Sequence, residues 1–237
     1  MSKNTRRGYV EKDMIEFGCE WSPKLRVASQ ELNYLLNRGY PTKGSATFIG
    51  NHYMLSERQR LALMRVVSSS NDIIMRENKC IPMDKLKNTE VLIDAFNTII
   101  TLEVALSNSM VLRCMDSTIR DLAGLRGTYH VIEKTEQALH LIFQMLKVKE
   151  VKKVIFYIDS PVSNSGRLKS LIMKTSANYP LLTEAILLYE VDKTLEQKPY
   201  VITSDAIILN KCISWINLNK SIISEHISNA WCINLTL

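Results

Sequence analysis

Val91-Leu92-Ile93-Asp94-Ala95-Phe96-Asn97 joins a short apolar run to a carboxylate, and a segment that can continue as a helix follows it. Buried parallel strands consist of such short apolar runs, and ligands bind outside their carboxyl ends. Asp94 therefore has two interpretations: a functional carboxylate at a strand end, or the N-cap of the following helix. The choice depends on whether other strands end in the same way.

The same pattern recurs along the chain. Met110–Met115 is followed by Asp116, Val151–Ile158 by Asp159, Thr183–Tyr189 by Glu190 and Asp192, and Tyr200–Ser204 by Asp205. Helical segments, such as the one at 131–147, separate most of these runs, and further short strands are predicted at 213–218 and 230–235. Alternating strands and helices predict an α/β fold with three layers around a mostly parallel sheet. The segment 117–128 is predicted to be an irregular loop.

In a parallel sheet the carboxyl ends of the strands lie along one edge, so these aspartates are expected to converge. Clustered like charges are costly unless a positive charge offsets them. Hard oxygen ligands without His or Cys favour Mg²⁺ or Mn²⁺ over zinc. Such ions can activate water and hold the oxygens of a phosphodiester. Repetition of the pattern favours a metal site over a series of helix caps.

The turn after Asp159 carries Ser163, Asn164 and Arg167 before a predicted helix. Hydroxyl, amide and backbone N–H donors at a helix N-terminus can bind an anion. A serine-rich turn is also a common helix cap, so this segment has two interpretations. The GxxxxGK[ST] phosphate-binding motif is absent.

Positive charge is concentrated in the first part of the chain. Residues 1–88 contain 15 Lys+Arg against 9 Asp+Glu, and residues 89–237 contain 15 against 15, so the net charge of +6 lies before residue 89. This asymmetry is typical of a polyanion-binding module, although a soluble basic surface would give the same count.

The N-terminal residues are predicted to form a small helical domain at 1–88, followed by an α/β domain at 89–237. Helices are predicted at 8–20 and 22–38, and a helix capped by Ser56 is predicted to run to about residue 69. Segments 39–53 and 71–88 are predicted to be connections. The third helix carries Arg58, Arg60 and Arg65, which either track phosphates or line a solvated face.

Composition limits the compartment and excludes a membrane protein. The apolar fraction of 46% and charged fraction of 23% are those of a globular domain. The five cysteines are scattered and include no CxxC pair, which favours reduced thiols and a cytoplasmic location. No signal peptide or transmembrane run is recognised.

These motifs resemble a two-domain microbial family of unknown function, with a DUF434-type N-terminal domain and a PIN-like, NYN-like DUF5616-type C-terminal domain. The N-terminal resemblance lies in Arg38–Pro41, Ser45, Gly50–Tyr53, and Arg58-Gln59-Arg60 with Leu63 and Arg65. The C-terminal resemblance lies in Val91–Leu106, Arg120-Asp121, Ile155–Arg167 and Thr203-Ser204-Asp205.

The resemblance implies a PIN-like α/β/α sandwich that holds Mg²⁺ or Mn²⁺ and cleaves RNA. Asp94, Asp159 and Asp205 are the implied catalytic ligands, and either Asp116 or Asp192 completes the metal shell. Asn97 and Ser204 are expected to orient ligands or water. Candidate substrate contacts are Arg120, Ser163, Asn164, Arg167, Arg58, Arg60 and Arg65.

The function expected from these residues is a metal-dependent phosphodiesterase, most directly an endoribonuclease whose partner is RNA rather than DNA. One alternative is a PIN-like scaffold that binds nucleic acid or a protein without turnover, and another is small-molecule phosphate chemistry. No membrane partner is expected, and the oligomeric state, homo-oligomers included, stays open.

Overall fold

The computed structural model describes residues 5–124 and 128–236. Within residues 5–88 the chain forms α1 (Asp13–Glu16), α2 (Ser22–Leu36), α3 (Thr42–His52), α4 (Glu57–Val66) and α5 (Ser70–Lys79). Ser56 begins α4 with a capping box, because its hydroxyl accepts from the Gln59 amide while the Gln59 side chain accepts from the Ser56 amide. A single 3₁₀ turn at Met83–Lys85 leads to the first strand.

The rest of the described chain forms strands and helices. They are β1 (Glu90–Asp94), α6 (Ala95–Leu106), β2 (Val111–Arg113), β3 (Ile119–Asp121), α7 (Glu133–Val148), β4 (Lys153–Asp159), α8 (Ser165–Ser176), β5 (Leu182–Leu188), α9 (Val191–Leu195), β6 (Val201–Ile202), α10 (Ala206–Lys211), β7 (Trp215–Ile216), α11 (Leu218–His226) and β8 (Cys232–Asn234).

The main sheet has the order β5-β4-β1-β6-β7, and all of its pairings are parallel. Alternate side chains of β1 enter two cores. Val91 and Ile93 pack with α6, α7, α8 and α11, whereas Leu92 packs with α9 and α10 on the other face. Helices therefore cover both faces, which confirms the predicted three-layer α/β/α fold with a mostly parallel sheet and a helical N-terminal segment.

A second sheet has the order β3-β2-β8, in which β2 pairs antiparallel with β3 and parallel with β8. Leu112 of β2 and Leu235, which follows β8, join Leu32 of α2 and Leu63 of α4 in one core. The N-terminal helices thus share a hydrophobic core with strands from the later part of the chain.

Three local predictions are wrong. Residues 42–52 form α3 rather than a connection, residues 70–79 form α5 rather than a linker, and β3 lies within the segment predicted to be an irregular loop. The predicted helix at 8–20 is limited to the four residues of α1. Residues 125–127 of the predicted loop lie outside the described residues. Within the described ranges, no helix is long and apolar enough to cross a membrane.

Candidate functional site

The carboxyl ends of β1, β4 and β6 open into a cavity of about 220 Å³. In the main sheet β4 lies on one side of β1 and β6 on the other. Open α/β sheets bind ligands in the crevice at such a point, where the strand order reverses. The cavity is lined by Arg65, Asp94, Phe96, Asn97, Ile100, Asp121, Gly124, Asp159, Asp192 and Asp205.

Asp94 ends β1 and is buried. Its Oδ2 accepts a hydrogen bond of 2.8 Å from the Thr203 hydroxyl. The side chain occupies the N-cap position of α6 but makes no capping hydrogen bond, so the helix-cap interpretation does not describe it. The pKa of Asp94 is raised to about 8: burial is the largest cause, the Thr203 bond opposes it, and the nearby carboxylates of Asp192, Asp205 and Asp159 add to the increase.

Asp159 at the end of β4 and Asp192 in the first turn of α9 reach the same cavity from the other side of β1. Burial raises the pKa of Asp159, and the Asp192 carboxylate adds to the increase. The pKa of Asp192 is raised by burial and then by Asp205 and Glu196. These carboxylates therefore repel one another across the cavity.

Asp205 follows β6 and caps α10, because its Oδ1 accepts from the backbone amides of Ile207 (2.8 Å) and Ile208 (3.2 Å). The turn before it is fixed by Asn97, whose Oδ1 accepts from both the amide (2.9 Å) and the hydroxyl (2.7 Å) of Ser204. Asn97 and Ser204 thus hold the turn that presents Asp205.

Asp121 was missed as a lining carboxylate by the sequence analysis. It ends β3, and its Oδ2 accepts from the Thr101 hydroxyl at 2.7 Å while its Oδ1 accepts from the Ala123 amide at 2.8 Å. Asp121 follows Thr118-Ile119-Arg120, which is not an apolar run, so the pattern that identified the other aspartates does not include it. It was overlooked because β3 has only three residues and was assigned to a loop.

Asp116 does not line the cavity, because β2 belongs to the second sheet rather than the main one. Its carboxylate is buried between the guanidinium groups of Arg76 and Arg120. Burial alone would raise the pKa of Asp116, but Arg120, the Thr118 hydroxyl and Arg76 more than offset it and the pKa is lowered. Of the two candidates for the fourth carboxylate, Asp192 is the one that faces the other three.

The predicted substrate-binding arginines have different surroundings. Arg58 makes a two-bond ion pair with Asp13, and Arg60 donates to Leu55 O and Asn51 Oδ1. Arg120 is buried in the pair with Asp116. Arg65 alone among the predicted arginines lines the carboxylate cavity.

The predicted anion-binding turn after Asp159 makes internal contacts. Ser163 Oγ accepts from the Tyr129 amide at 3.0 Å, and Asn164 Nδ2 donates to Tyr129 O at 2.6 Å. Arg167 is exposed on α8 and does not line the cavity. The turn therefore holds the segment around Tyr129 rather than facing the carboxylates.

The charge and the donor atoms of the cavity lining suit a cation. Five aspartates and one arginine give a net charge of −5 + 1 = −4 if all are ionised, and hard oxygen donors without His or Cys suit Mg²⁺ or Mn²⁺. However, within residues 5–124 and 128–236, no group of three or more His, Cys, Asp or Glu side chains is gathered closely enough to hold a metal ion. The carboxylates face one cavity but stand apart.

Comparison with known proteins gives family matches without an assigned activity. The family model described as Domain of unknown function (DUF5616) matches residues 83–221, and that described as Protein of unknown function (DUF434) matches residues 24–79. An uncharacterized protein of Methanocaldococcus jannaschii is 32% identical over 185 residues, which cover 78% of this chain and 88% of that relative. No solved structure matches the chain.

Proposed function

We propose a hydrolytic function for this chain, which belongs to the family described as Domain of unknown function (DUF5616) and carries a DUF434-type segment before it. The proposed activity is that of a metal-dependent phosphodiesterase with RNA as its substrate. The observation that carries the proposal is that Asp94, Asp159, Asp192 and Asp205 line one cavity at the carboxyl ends of a parallel sheet, with Arg65 in the same lining.

Mg²⁺ or Mn²⁺ is the proposed cofactor, held by the carboxylates of Asp94, Asp159, Asp205 and Asp192. When bound, such an ion lowers the pKa of water and stabilises charge on phosphoryl oxygens. The burial of Asp94 beside three other carboxylates supports a cation here: burial is the main cause of its raised pKa and the carboxylates of Asp192, Asp205 and Asp159 add to the increase, so a bound positive charge would offset both effects.

The chain's own residues supply positioning and phosphate binding. Asn97 and Ser204 fix the turn that bears Asp205. Arg65 makes no ion pair with a described residue, so its guanidinium is free to bind a phosphate at the cavity. Arginine suits this role because its planar donors match two phosphoryl oxygens.

The shape of the site favours a strand over a free nucleotide. The cavity of about 220 Å³ is smaller than most small-molecule pockets. A second cavity of about 480 Å³ shares Asp159 and Asp192 with it and is bordered by Tyr189, whose side chain is 80% exposed. Exposed aromatic rings stack with bases of single-stranded nucleic acid. Together with the PIN-like resemblance, this supports RNA as the substrate.

The test is cleavage of a labelled single-stranded RNA with Mn²⁺ by the wild type, Asp94→Asn and Asp159→Asn. Glu90→Gln is a matched control, because it removes a carboxylate from the exposed opposite end of β1. Cleavage by the wild type and Glu90→Gln but not by the two aspartate variants is expected. Equal cleavage by all four proteins would refute the proposal, since a contaminating nuclease would then account for it.

A second candidate function is RNA binding without turnover on the same scaffold. The separation of the carboxylates is the observation that favours it, since no ligand group is gathered among the described residues. It predicts salt-sensitive RNA binding that persists, or tightens, in Asp94→Asn because the substitution only reduces repulsion. The phosphodiesterase proposal instead predicts that the divalent ion tightens RNA binding by the wild type, and equilibrium binding with and without Mn²⁺ separates the two.

A further inference from the structure

Arg120 lies in the middle of β3 and is almost completely buried, with a residue exposure of 4%. Its Nε donates to Ser204 O at 2.7 Å, its Nη1 donates to Arg65 O, and its Nη2 donates to the Asp116 carboxylate. A single guanidinium therefore joins three separate parts of the chain. None of these contacts leaves it available to a substrate.

Two of its three acceptors lie directly behind the walls of the carboxylate cavity. Ser204 O belongs to the residue before Asp205, which lines the cavity on one side. Arg65 O belongs to the last turn of α4, and the Arg65 side chain lines the cavity on another side. Arg120 thus binds the backbone on two sides of the cavity, next to the Asp205 carboxylate and at Arg65.

The third acceptor, Asp116, holds Arg120 in place. Asp116 also pairs with Arg76 at 2.7 Å, and Thr118 donates to its other oxygen through its amide and hydroxyl. A buried guanidinium is costly without an ionised partner, so the Asp116 pair stabilises Arg120 in this position. The end of α4 has a second link to this region, because Val66 O accepts from the Met115 amide.

We propose that Arg120 is a positioning residue that couples the end of α4 to the Ser204-Asp205 turn, so that the cavity is one composite site built by the N-terminal helices and the α/β part together. The ligand of that site rests on the proposed function, whereas the coupling itself does not. Arg65 comes from the DUF434-matched segment and the aspartates come from the DUF5616-matched segment, and Arg120 bonds to the backbone of both Arg65 and Ser204.

The consequence is reciprocal. If Arg120 couples both walls, a cation bound by the carboxylates is expected to stabilise the last turn of α4 as well, although α4 contributes no carboxylate to the cavity. Lysine could not replace Arg120, because a single ammonium does not have donors in the fixed fork that reaches three acceptors.

The test compares Arg120→Met with Arg76→Met in the full chain by hydrogen exchange, with and without Mn²⁺. Each variant loses one ion pair to the same Asp116, but Arg76 touches neither Ser204 nor Arg65. Exchange is followed at the amides of residues 64–67 and 204–208, and the melting temperature is recorded for both variants. Arg120→Lys is included because it keeps the charge but not the three-way contact.

In the wild type and Arg76→Met, Mn²⁺ is expected to slow exchange in both segments. In Arg120→Met and Arg120→Lys, we expect Mn²⁺ to protect residues 204–208 without protecting 64–67, and metal-free exchange that is roughly tenfold faster in both segments. Equal behaviour of Arg120→Met and Arg76→Met, or wild-type behaviour of Arg120→Lys, would overturn the proposal.

If Mn²⁺ protects neither segment of the wild type, the proposed metal site fails while the coupling is still tested. Metal-free exchange then decides it: faster exchange in both segments of Arg120→Met, but not of Arg76→Met, supports the coupling. Faster exchange in only one of the two segments contradicts it.

Discussion

Asp94 combines burial with a single side-chain hydrogen bond and three carboxylate neighbours, which is an unfavourable arrangement for a charged group. We expect Asp94→Asn to stabilise the metal-free protein at pH 7 by about 1–4 kcal/mol, because the amide has the same shape and no charge. Urea unfolding with EDTA present measures this change. A stabilising effect of this substitution would mean that Asp94 does not serve stability, and would agree with a role in ion binding.

Asp116→Asn is the matched control, since it makes the same chemical change at another buried aspartate. Asp116 lies between two guanidinium groups, so its loss is expected to destabilise the protein by about 3–5 kcal/mol. A loss of stability in both variants would mean that Asp94 acts as a structural carboxylate.

The pH dependence of stability follows from the raised pKa of Asp94. Its ordinary value is 3.8 and its value in the folded protein is about 8, so between these values the folded state keeps a proton that the unfolded chain has lost. This contribution to stability is fully present below pH 3.8 and is lost as the pH rises through 8. The free energy of unfolding of the metal-free wild type, relative to Asp94→Asn, should therefore fall by up to about 1.4 kcal/mol per pH unit across this range.

Denaturant titrations of both proteins between pH 5 and 8 measure this difference, and the subtraction removes the contributions of other titrating groups. Saturating Mn²⁺ should reduce the slope, because the ion favours the ionised carboxylate. A flat difference across the range would show that Asp94 ionises at an ordinary pH.

Arg65 is the one predicted substrate-binding arginine at the cavity, and its removal should weaken RNA binding without loss of stability. In the Asp159→Asn background, which prevents turnover, Arg65→Met is expected to lower affinity for labelled single-stranded RNA. The slope of log affinity against log salt should decrease by about 1, as for the loss of one phosphate contact. Fluorescence anisotropy over a salt series gives both quantities.

Arg60→Met is the control on the same helix. Its guanidinium is bound to Leu55 O and Asn51 Oδ1, so its removal should lower the melting temperature and leave RNA affinity unchanged. Equal losses of affinity in Arg60→Met and Arg65→Met would indicate a diffuse basic surface instead of a phosphate site. The sequence could not separate these arginines, because Asn51 and the other partners approach them only in the folded chain.

Packing of α3 against α4 depends on Gly50. Gly50 is also one of the two glycines that weaken the helical signal of α3 in the sequence. A Cβ at Gly50 would lie 2.7 Å from the Arg60 side chain, which its hydrogen bonds hold in place. Gly50→Ala is expected to destabilise the protein by about 1–3 kcal/mol through overpacking. Thermal unfolding of the purified variant measures this.

Gly44→Ala is the matched control in the same helix, because a Cβ there would meet nothing within 4 Å. Alanine is the better helix former by up to about 1 kcal/mol, so this variant should gain stability. Opposite signs for the two substitutions are expected, and equal signs would contradict the close approach of Arg60 to α3.

The elements that the sequence predicted correctly are those with a strong local signal. Val91–Asp94 and Val154–Asp159 are apolar runs buried on both faces of the main sheet, and Ser56 begins α4 with a capping box. The elements that it missed have weak local signals and are stabilised by tertiary contacts. Two glycines lie in α3, and β3 has three residues, so their formation depends on partners distant in sequence.

The candidate site was predictable to a similar degree. Strand-end position identified Asp94, Asp159 and Asp205, because a parallel sheet brings its carboxyl ends together. The same rule selected Asp116, which is directed elsewhere since β2 joins the other sheet. The sequence contains no signal for which strands share a sheet, so sheet membership is what separated the ligand candidates from the ion pair.

At the scale of the whole molecule, the helical segment and the α/β part share more than a linker. The core around α2 and α4 includes Leu112, Leu122 and Leu235 from beyond residue 88. Arg58 and Arg120 also bond across the predicted boundary, to Leu122 O and Arg65 O. The division of the chain into domains at residue 88 stays a prediction. The contacts across residue 88 predict that the two segments do not unfold independently.

Scanning calorimetry tests this prediction directly. The full chain is expected to give a single unfolding transition whose calorimetric and van't Hoff enthalpies agree, because the shared core couples the two segments. Residues 89–237 expressed alone should lack a cooperative transition, since Leu112, Leu122 and Leu235 would lose the helices that cover them. Addition of residues 1–88 in trans should restore the transition. Two separate transitions in the full chain, or a stable fold of residues 89–237 alone, would contradict this prediction. The α/β part would then fold without the helical segment, whose contribution to the composite site would be limited to the Arg65 side chain.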